Sequence, residues 1–260
     1  MFDQFKSYIS FLIASTNQHG IHSSFIYDLV TKCFYSNQKI LIQQFNQIHK
    51  YQQSLLKNKQ TINVTDFGAG SRVFNSNTRR ISAIAKNAGI SNKRAKLLVK
   101  IVQYFNPRNI LEIGTSLGIG TACLSIGNPK SKITSLEGCP ETAKIAIRQF
   151  KKFNLNNIEV KIGNFETTLP TALLNKKYDL IYFDGNHQKE ATIDYFEKCL
   201  LTSHNDSVFI FDDIHWSKGM EDAWNYIKDH NKVTISIDTF QWGIVFFRKE
   251  QPKEHFVIRI

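Results

Sequence analysis

The 260-residue sequence predicts an α/β fold, a mostly parallel sheet with helices on both faces, and three observations predict it. Short apolar runs alternate with helical stretches. Strands are expected at 109–113, 132–136, 158–161, 178–183, 207–212, 233–237 and 242–248, with helices between the first six. That alternation implies parallel strands, because each helical crossover returns the chain to the same end of the sheet. The last two runs are joined by only a few residues around Phe240, too few for a crossover, so the final strand is expected to run antiparallel. Finally, Asn109-Ile-Leu-Glu-Ile-Gly-Thr-Ser-Leu-Gly-Ile-Gly120 carries a buried run straight into a glycine-rich turn, at the end of the sheet where such folds bind ligands.

Taken in order, residues 1–60 are polar and rich in Gln and Asn, with apolar positions at helical spacing in 25–30 and 40–48. They predict an N-terminal helical cap. With the basic loop and helix region that follows, the cap fills 1–90, and 91–260 is expected to form the ligand-binding domain. Asp66-Phe-Gly-Ala-Gly-Ser71 imitates a ligand-binding turn, but the next ~20 residues lack the acidic partner that a ribose site wants. It reads as a loop, either mobile at the mouth of the site or a plain turn. The segment from Ser91 to Phe105 has a serine cap at its start and stops before Pro107, so it predicts one helix leading into the first strand of the sheet.

Composition narrows the function classes. No apolar run approaches the ~20 residues that span a bilayer, and Tyr8–Ala14 is too short for a signal peptide, so the cytoplasm is the expected location and no membrane is expected as a partner. Cys33, Cys123, Cys139 and Cys199 form no C-x-x-C pair, which points to reduced structural cysteines. His19 and His22 lack the further ligands of a zinc site. The net charge of +11 is uneven: between Asp66 and Glu112 there is no acidic residue, while Arg72, Arg79, Arg80, Lys86, Lys93, Arg94, Lys96, Lys100 and Arg108 all fall there. Such a surface attracts an anionic small molecule or nucleic acid, and it is equally explained as a solvated face of a basic protein. The oligomeric state stays open, a homodimer included.

The turn narrows the ligand. Gly114, Gly118 and Gly120 lack the Cβ atoms that would keep a ligand from the backbone, and Glu137, ending the next strand, sits where a ribose diol can bind a carboxylate. The spacing Glu112-x-Gly114-x-x-x-Gly118-x-Gly120 misses the G-x-G-x-x-G of a dinucleotide site, which disfavours a nicotinamide oxidoreductase. Further strands carry carboxylates at their ends. Asp184-Gly-Asn-His187 follows Tyr178–Phe183, and Asp212-Asp-Ile-His-Trp216 follows Ser207–Phe211. Three carboxylates at the ends of neighbouring strands repel one another unless a cation resolves them, and Mg²⁺ is the hard cation such oxygens favour. Capping of the following helices is the plainer use of the same aspartates. An imidazole, with an ordinary pKa of about 6.5, suits proton removal near neutral pH, which makes His187 a candidate general base and His215 a second candidate, as base or as a further metal ligand.

The glycine turn resembles motif I of class I S-adenosylmethionine (SAM) dependent methyltransferases, and the predicted sheet is similar to their Rossmann-like fold with its antiparallel last strand. Glu-Ile-Gly-Thr-Ser-Leu-Gly, Phe-Asp-Gly-Asn-His and Asp-Asp-Ile-His-Trp extend the resemblance over 91–248, to metal-dependent O-methyltransferases of the catechol and caffeoyl-CoA type. Asp213 stands where those enzymes carry asparagine, which is more like the magnesium-dependent sugar O-methyltransferases. His187 stands where the catechol type carries a lysine base. The resemblance implies cofactor contacts from Glu112, Gly114, Thr115, Ser116, Gly118, Glu137, Gly138, Gly163, Asn164, Phe165 and Asp184, and a metal on Asp184, Asp212 and Asp213. A catalytic role falls to His187 and Asp184. The implied activity is SAM-dependent methylation of a hydroxyl on a small-molecule acceptor, with Mg²⁺ assisting. Methylation of RNA or protein is the first rival, although Asp184-Gly-Asn-His187 stands where many base-nitrogen methyltransferases place Asn/Asp-Pro-Pro-Tyr/Phe. SAM binding without catalysis is the second.

Overall fold

In the computed structural model, which describes residues 2–36, 41–65, 68, 76–87 and 89–260, the expected alternation of strand and helix is present. The elements before the sheet are α1 (Phe2–Ala14), α2 (Ser24–Asp28), α3 (Leu41–Leu56), β1 (Thr61–Asn63), β2 (Thr78–Arg80), α4 (Ile81–Asn87) and α5 (Asn92–Phe105). There follow β3 (Asn109–Ile113), α6 (Ile119–Gly127), β4 (Lys132–Glu137), α7 (Pro140–Lys152), β5 (Ile158–Ile162) and α8 (Phe165–Leu173). The remainder is β6 (Leu180–Phe183), α9 (Lys189–Cys199), β7 (Val208–Asp212), α10 (Lys218–Asp229), β8 (Ile235–Asp238), β9 (Trp242–Phe246) and β10 (Glu254–Val257). The seven expected strands are β3 to β9, each within two residues of its expected bounds. The chain divides into two compact units, Met1–Tyr35 with Leu173–Ile260, and Ser36–Ala172.

In the Ser36–Ala172 unit, β4 lies between β3 and β5, all parallel, with Glu112 opposite Ser135 and Glu137 opposite Ile162. Ile110, Leu111 and Ile113 are fully buried, the pattern of a parallel strand covered on both faces. Helix α5 starts where the Ser91 side chain accepts from the amide of Arg94, and ends at Asn106, whose left-handed φ of 46° turns the chain before Pro107. Burial of Leu98, Val99, Ile101 and Val102 fixes its inner face. Helix α3 is held by polar side chains on backbone carbonyls: Gln44 donates to Ile126 (3.2 Å), Tyr51 to Leu117 (2.9 Å) and Gln52 to Ile90 (3.2 Å). Strands β1 and β2 pair antiparallel and bracket the segment that contains the glycine pair of 66–71. Of the loop expected over 66–77, only 68, 76 and 77 lie within the described residues.

In the other unit β6 and β7 are parallel, and β9 runs antiparallel to both β7 and β8, as the short Phe240 connection requires. Strand β10, parallel to β8, was not expected. Its side chains are half-buried or exposed, so Glu-His-Phe-Val carries no apolar run to announce it. The amino terminus is tied here too: the Thr16 amide donates to Val257 (2.9 Å), and Tyr8 and Phe11 of α1 pack on Phe240 at ring distances of 4.8 and 5.5 Å. All four cysteines are buried and none is in a disulfide. Among the described residues no helix is long and apolar enough to cross a membrane.

Gly243 of β9 lies under Trp224, where a Cβ would sit 2.4 Å from the indole ring. Gly243→Ala is expected to lower stability by about 1–3 kcal/mol, the usual range for overpacking. Urea unfolding followed by Trp fluorescence reads this, and an unchanged midpoint would mean that the ring moves aside freely.

Candidate active site

The Ser36–Ala172 unit places the glycine turn over the end of β4. Three left-handed positions fall within five residues: Gly114 (φ 107°), Ser116 (φ 49°) and Gly118 (φ 78°). The turn is pinned by the amides of Gly114 and Thr115, both of which donate to the Leu136 carbonyl, at 3.0 and 3.1 Å. Gly118 is required twice over, by its φ and because a Cβ there would lie 2.5 Å from the Phe150 ring and 2.7 Å from the Tyr51 hydroxyl.

Glu137 ends β4 almost buried, at 9% exposure. One carboxylate oxygen accepts from the Ser116 amide (2.6 Å), the other from the Cys139 amide (2.8 Å) and the Thr142 hydroxyl (3.0 Å). Burial raises its pKa, and the hydrogen bonds from Cys139, Ser116 and Thr142 only partly offset that, so the carboxyl titrates above its ordinary range. Gly138, half-buried, lies between Glu137 and Cys139. The amide of Gly163 (φ 146°) donates to the Glu137 carbonyl at 2.9 Å. The side chain of Asn164 accepts from the Glu166 amide at 3.0 Å and caps α8, whose first residue is the half-buried Phe165.

Glu112 is fully buried below the turn. Its Oε2 accepts from the hydroxyls of Thr121 and Ser135, each at 2.5 Å, and Thr115 shares a 2.5 Å bond with Ser135. Its Oε1 is buried with no hydrogen-bond partner. Burial is the main cause that pushes the carboxyl up to about 8; the Ser135 and Thr121 bonds pull down, and the nearby Glu137 charge pushes further up. An orphaned acid under the turn and a nearly buried carboxylate at the next strand end suit a ligand that brings positive charge and hydroxyl donors. Sequence reasoning missed Ser135, Thr121, Thr142 and Tyr51. Ser135 had a signal, a polar residue inside an apolar strand two before Glu137; Tyr51, some 60 residues upstream of the turn, had none.

The other unit carries the aspartates. Asp184 and His187 follow β6 and lie half-buried, with His187 Nε2 3.8 Å from Asp184 Oδ1. Asn186 (φ 68°) and His187 (φ 26°) are consecutive left-handed residues, and the Asn186 side-chain Nδ2 donates to the Tyr195 hydroxyl at 3.0 Å. His187, Gly185, Asp212, Tyr195 and Met220 share the lining of one small depression. Asp212 is committed on both oxygens: Oδ1 accepts from Trp242 Nε1 (2.8 Å) and the Asp213 amide (2.9 Å), and Oδ2 from the Tyr182 hydroxyl (3.3 Å). Asp213 is left-handed, with φ 53°. His215, the second base candidate, has both ring nitrogens on carboxylates, Glu221 at 3.1 Å and Asp238 at 2.9 Å. Burial disfavours its charged form, but Asp238 and Glu221 outweigh that and raise its pKa above the ordinary value.

Among the described residues no group of three or more His, Cys, Asp or Glu is disposed to hold a metal ion. The donor set agrees, since Asp212 spends its lone pairs on Trp242, Tyr182 and its own neighbour. Asp184, Asp212 and Asp213 as arranged do not fit Mg²⁺.

Comparison with known proteins shows what the chain is similar to. Residues 111–214 match a family described as a methyltransferase domain, a segment that runs from β3 past Asp213 and takes in the glycine turn, Glu137, Asp184 and Asp212. The resemblance to class I SAM-dependent methyltransferases, and the Rossmann-like fold with its mostly parallel sheet, are thereby shown. A catechol O-methyltransferase of Mycobacterium tuberculosis is 28% identical over 127 residues, which are 48% of this chain and 56% of that enzyme. The chain therefore spans little more than half the length of this curated relative. The O-methyltransferase of Bacillus cereus, solved with S-adenosylhomocysteine (SAH), is 26% identical with a TM-score of 0.52, covering 62% of this chain and 82% of that one. A SAH-bound methyltransferase of Podospora anserina, 14% identical, shares the fold over 88% of this chain and 97% of its own, with a TM-score of 0.59.

The buried acid at Glu112 sets a pH dependence for the ligand-free protein. Its pKa is raised from 4.5 to about 8, so the folded state holds a proton that the unfolded state has released. Stability is full below the unfolded value and is lost as pH rises from about 5 to 8, with a slope of at most about 1.4 kcal/mol per pH unit. Glu137 contributes in the same direction. Glu112→Gln is expected to flatten this slope in urea titrations across that range; an equal slope in the variant would assign it elsewhere.

Proposed function

We propose that the protein is a SAM-dependent methyltransferase acting on a hydroxyl of a small-molecule acceptor. The observation that carries the reading is the carboxylate of Glu137, bonded to the Ser116 amide at the lip of the glycine turn, within the matched methyltransferase segment. Glu137 accepts the ribose hydroxyls and exchanges its bond to the Ser116 amide for theirs. The backbone of Gly114–Gly118 takes the methionine end, with Thr115 and Ser116 beside it. Asn164, Phe165 and Gly163 line the adenine, and Gly138 leaves room at the ribose. When bound, SAM supplies a methyl group activated by its sulfonium, ready for in-line transfer to an oxygen.

The chain's own part in the chemistry is to generate that oxygen nucleophile. His187 takes the hydroxyl proton on Nε2, and the Asp184 carboxylate, 3.8 Å away, stabilises the imidazolium that results. Once the new C–O bond has formed, His187 returns the proton to solvent. The assignment draws support from the similarity to O-methyltransferases and from the exposed basic side chains Arg80, Lys86, Lys93 and Lys96, which favour an acceptor of negative charge. The same stretch motivates the RNA-binding alternative, which would announce itself by binding that weakens steeply with salt. The Mg²⁺-assisted version is a second reading, favoured by three strand-end carboxylates in one unit; it needs Asp212 to leave Trp242 and Tyr182.

SAM titrated into the protein in a calorimeter is expected to bind at one site per chain, and Glu137→Ala to weaken it at least tenfold, about 1.4 kcal/mol, as for loss of charged hydrogen bonds in a buried site. No heat of binding for the intact protein would end the methyltransferase reading. With catechols and sugars as acceptors, His187→Ala is expected to cut the methylation rate about 10²–10⁴-fold. The same assay with chelator or added Mg²⁺ is expected to change little, and strict dependence on Mg²⁺ would select the metal version.

A further inference from the structure

Charge is divided unevenly between the two units. Ser36–Ala172 holds 20 of the 33 Lys and Arg residues but 6 of the 22 Asp and Glu, a net charge of +14 against −3 for the rest of the chain. Of the six acids, Glu112 and Glu137 are buried, Asp66 lies outside the described residues, and Glu141 pairs with Lys144 at 2.6 Å. In the other unit the signs are interspersed, as in the pairs Lys32–Asp28, Lys198–Asp194 and Lys218–Asp222. A surface that has only to stay solvated mixes its signs in that way. One that gathers a single sign builds a field that draws an oppositely charged partner.

Tertiary bonds bring the cations together. The amides of Ile81 and Ser82 donate to the carbonyls of Gln60 and Asn58 (2.9 and 3.0 Å), and Thr61 pairs with Arg80, so exposed Lys57, Lys59 and Arg80 lie close to one another at the start of α4. Lys86, also exposed, is in the last turn of that helix. Gln52 of α3 donates to the Ile90 carbonyl (3.2 Å), and the exposed Lys96 of α5 sits 4.9 Å over the Phe45 ring of α3. Ser54 of α3 donates to Gln149 (3.0 Å), which sets α7, with exposed Arg148, Lys151 and Lys152, beside the same helix. The cations thus flank α3, whose 16 residues run about 24 Å at 1.5 Å per residue.

A small anion can meet two or three such groups, whereas a partner of evenly repeated charge meets the whole set. We propose that the Ser36–Ala172 unit docks on the phosphate backbone of a double-stranded nucleic acid. A duplex carries one negative charge per ~1.7 Å of its axis, so about a dozen lie along a surface of this length. Among the cations stand the exposed amides of Gln43, Asn46, Gln60 and Asn92, side chains that bond phosphate and sugar. A bilayer would want apolar side chains to bury, and those of α5, Leu97, Leu98, Val99 and Ile101, are turned into the fold. Exposed Ile42 and Leu56 stand near opposite ends of α3, about 20 Å apart, too scattered to enter one. A single strand would want aromatic platforms for its bases; among the described residues the exposed aromatic ones, Phe5, Tyr8, Tyr27 and Tyr226, all belong to the other unit. The contact needs neither SAM nor turnover, so it stands or falls apart from the methyltransferase reading.

Fluorescence anisotropy of the whole chain with short labelled RNA and DNA duplexes tests this. Duplexes of unrelated sequence are expected to bind alike and more tightly than a single strand of equal length. Affinity is expected to fall about 10²–10³-fold between about 50 and 200 mM salt, as for about five phosphate contacts. Lys57→Gln, Arg80→Gln and Lys86→Gln combined are expected to lower the slope of log affinity against log salt by about 3. Lys176→Gln, Lys232→Gln and Lys249→Gln remove the same charge from exposed positions of the other unit and are expected to leave the slope unchanged. No duplex binding at low salt, an equal loss from both sets of substitutions, or tighter binding to the single strand or to phosphatidylserine vesicles overturns the inference.

Discussion

The Ser36–Ala172 unit depends on one constraint, the burial of two carboxyls at the ends of adjacent parallel strands. Glu112 and Glu137 lie on β3 and β4, one below the glycine turn and the other at its lip. Among the described residues neither accepts a hydrogen bond from a cationic side chain. The protein answers with small donors: the hydroxyls of Ser135, Thr121 and Thr142 and the amides of Ser116 and Cys139. These bonds fix the turn in its left-handed geometry, and the turn requires glycine where Phe150 and Tyr51 close in on Gly118. The outcome is a turn set between two buried carboxyls, of which Glu112 keeps one oxygen without a hydrogen-bond partner.

The other unit treats its carboxylates differently. Asp212 is a structural knot, joining β7 to Trp242 of β9 and Tyr182 of β6. Asp238 and Glu221 clamp His215, whose ring lies parallel to Phe240 at 5.1 Å, and Phe240 in turn receives Tyr8 and Phe11 from α1. Much of the acidity at these strand ends is thus spent on holding a hairpin and the amino terminus in place. Asp184 and His187 lie half-buried, 3.8 Å from one another. Charge at a strand end is therefore no measure of chemistry; the partners that each carboxylate already has decide what it has left to offer.

The sequence by itself determined the strands and their direction. Strand and helix period come from local alternation of apolar and polar residues, and the length of a connection limits whether the next strand is parallel, so β3 to β9 and the antiparallel β9 were legible. The glycine spacing and the acid at Glu137 were legible for the same reason, since both are short-range patterns at strand ends. Strand β10 was not, because an outer strand with half-exposed side chains has no apolar signature. Only the tertiary structure decided which acids are spent and which are idle. Ser135 reaches Glu112 across 23 residues, Trp242 reaches Asp212 across 30, and Tyr51 walls Gly118 from 67 residues upstream. Hydrogen bonds and close packing act through space, and the state of a buried carboxyl is set by neighbours that the order of residues does not name.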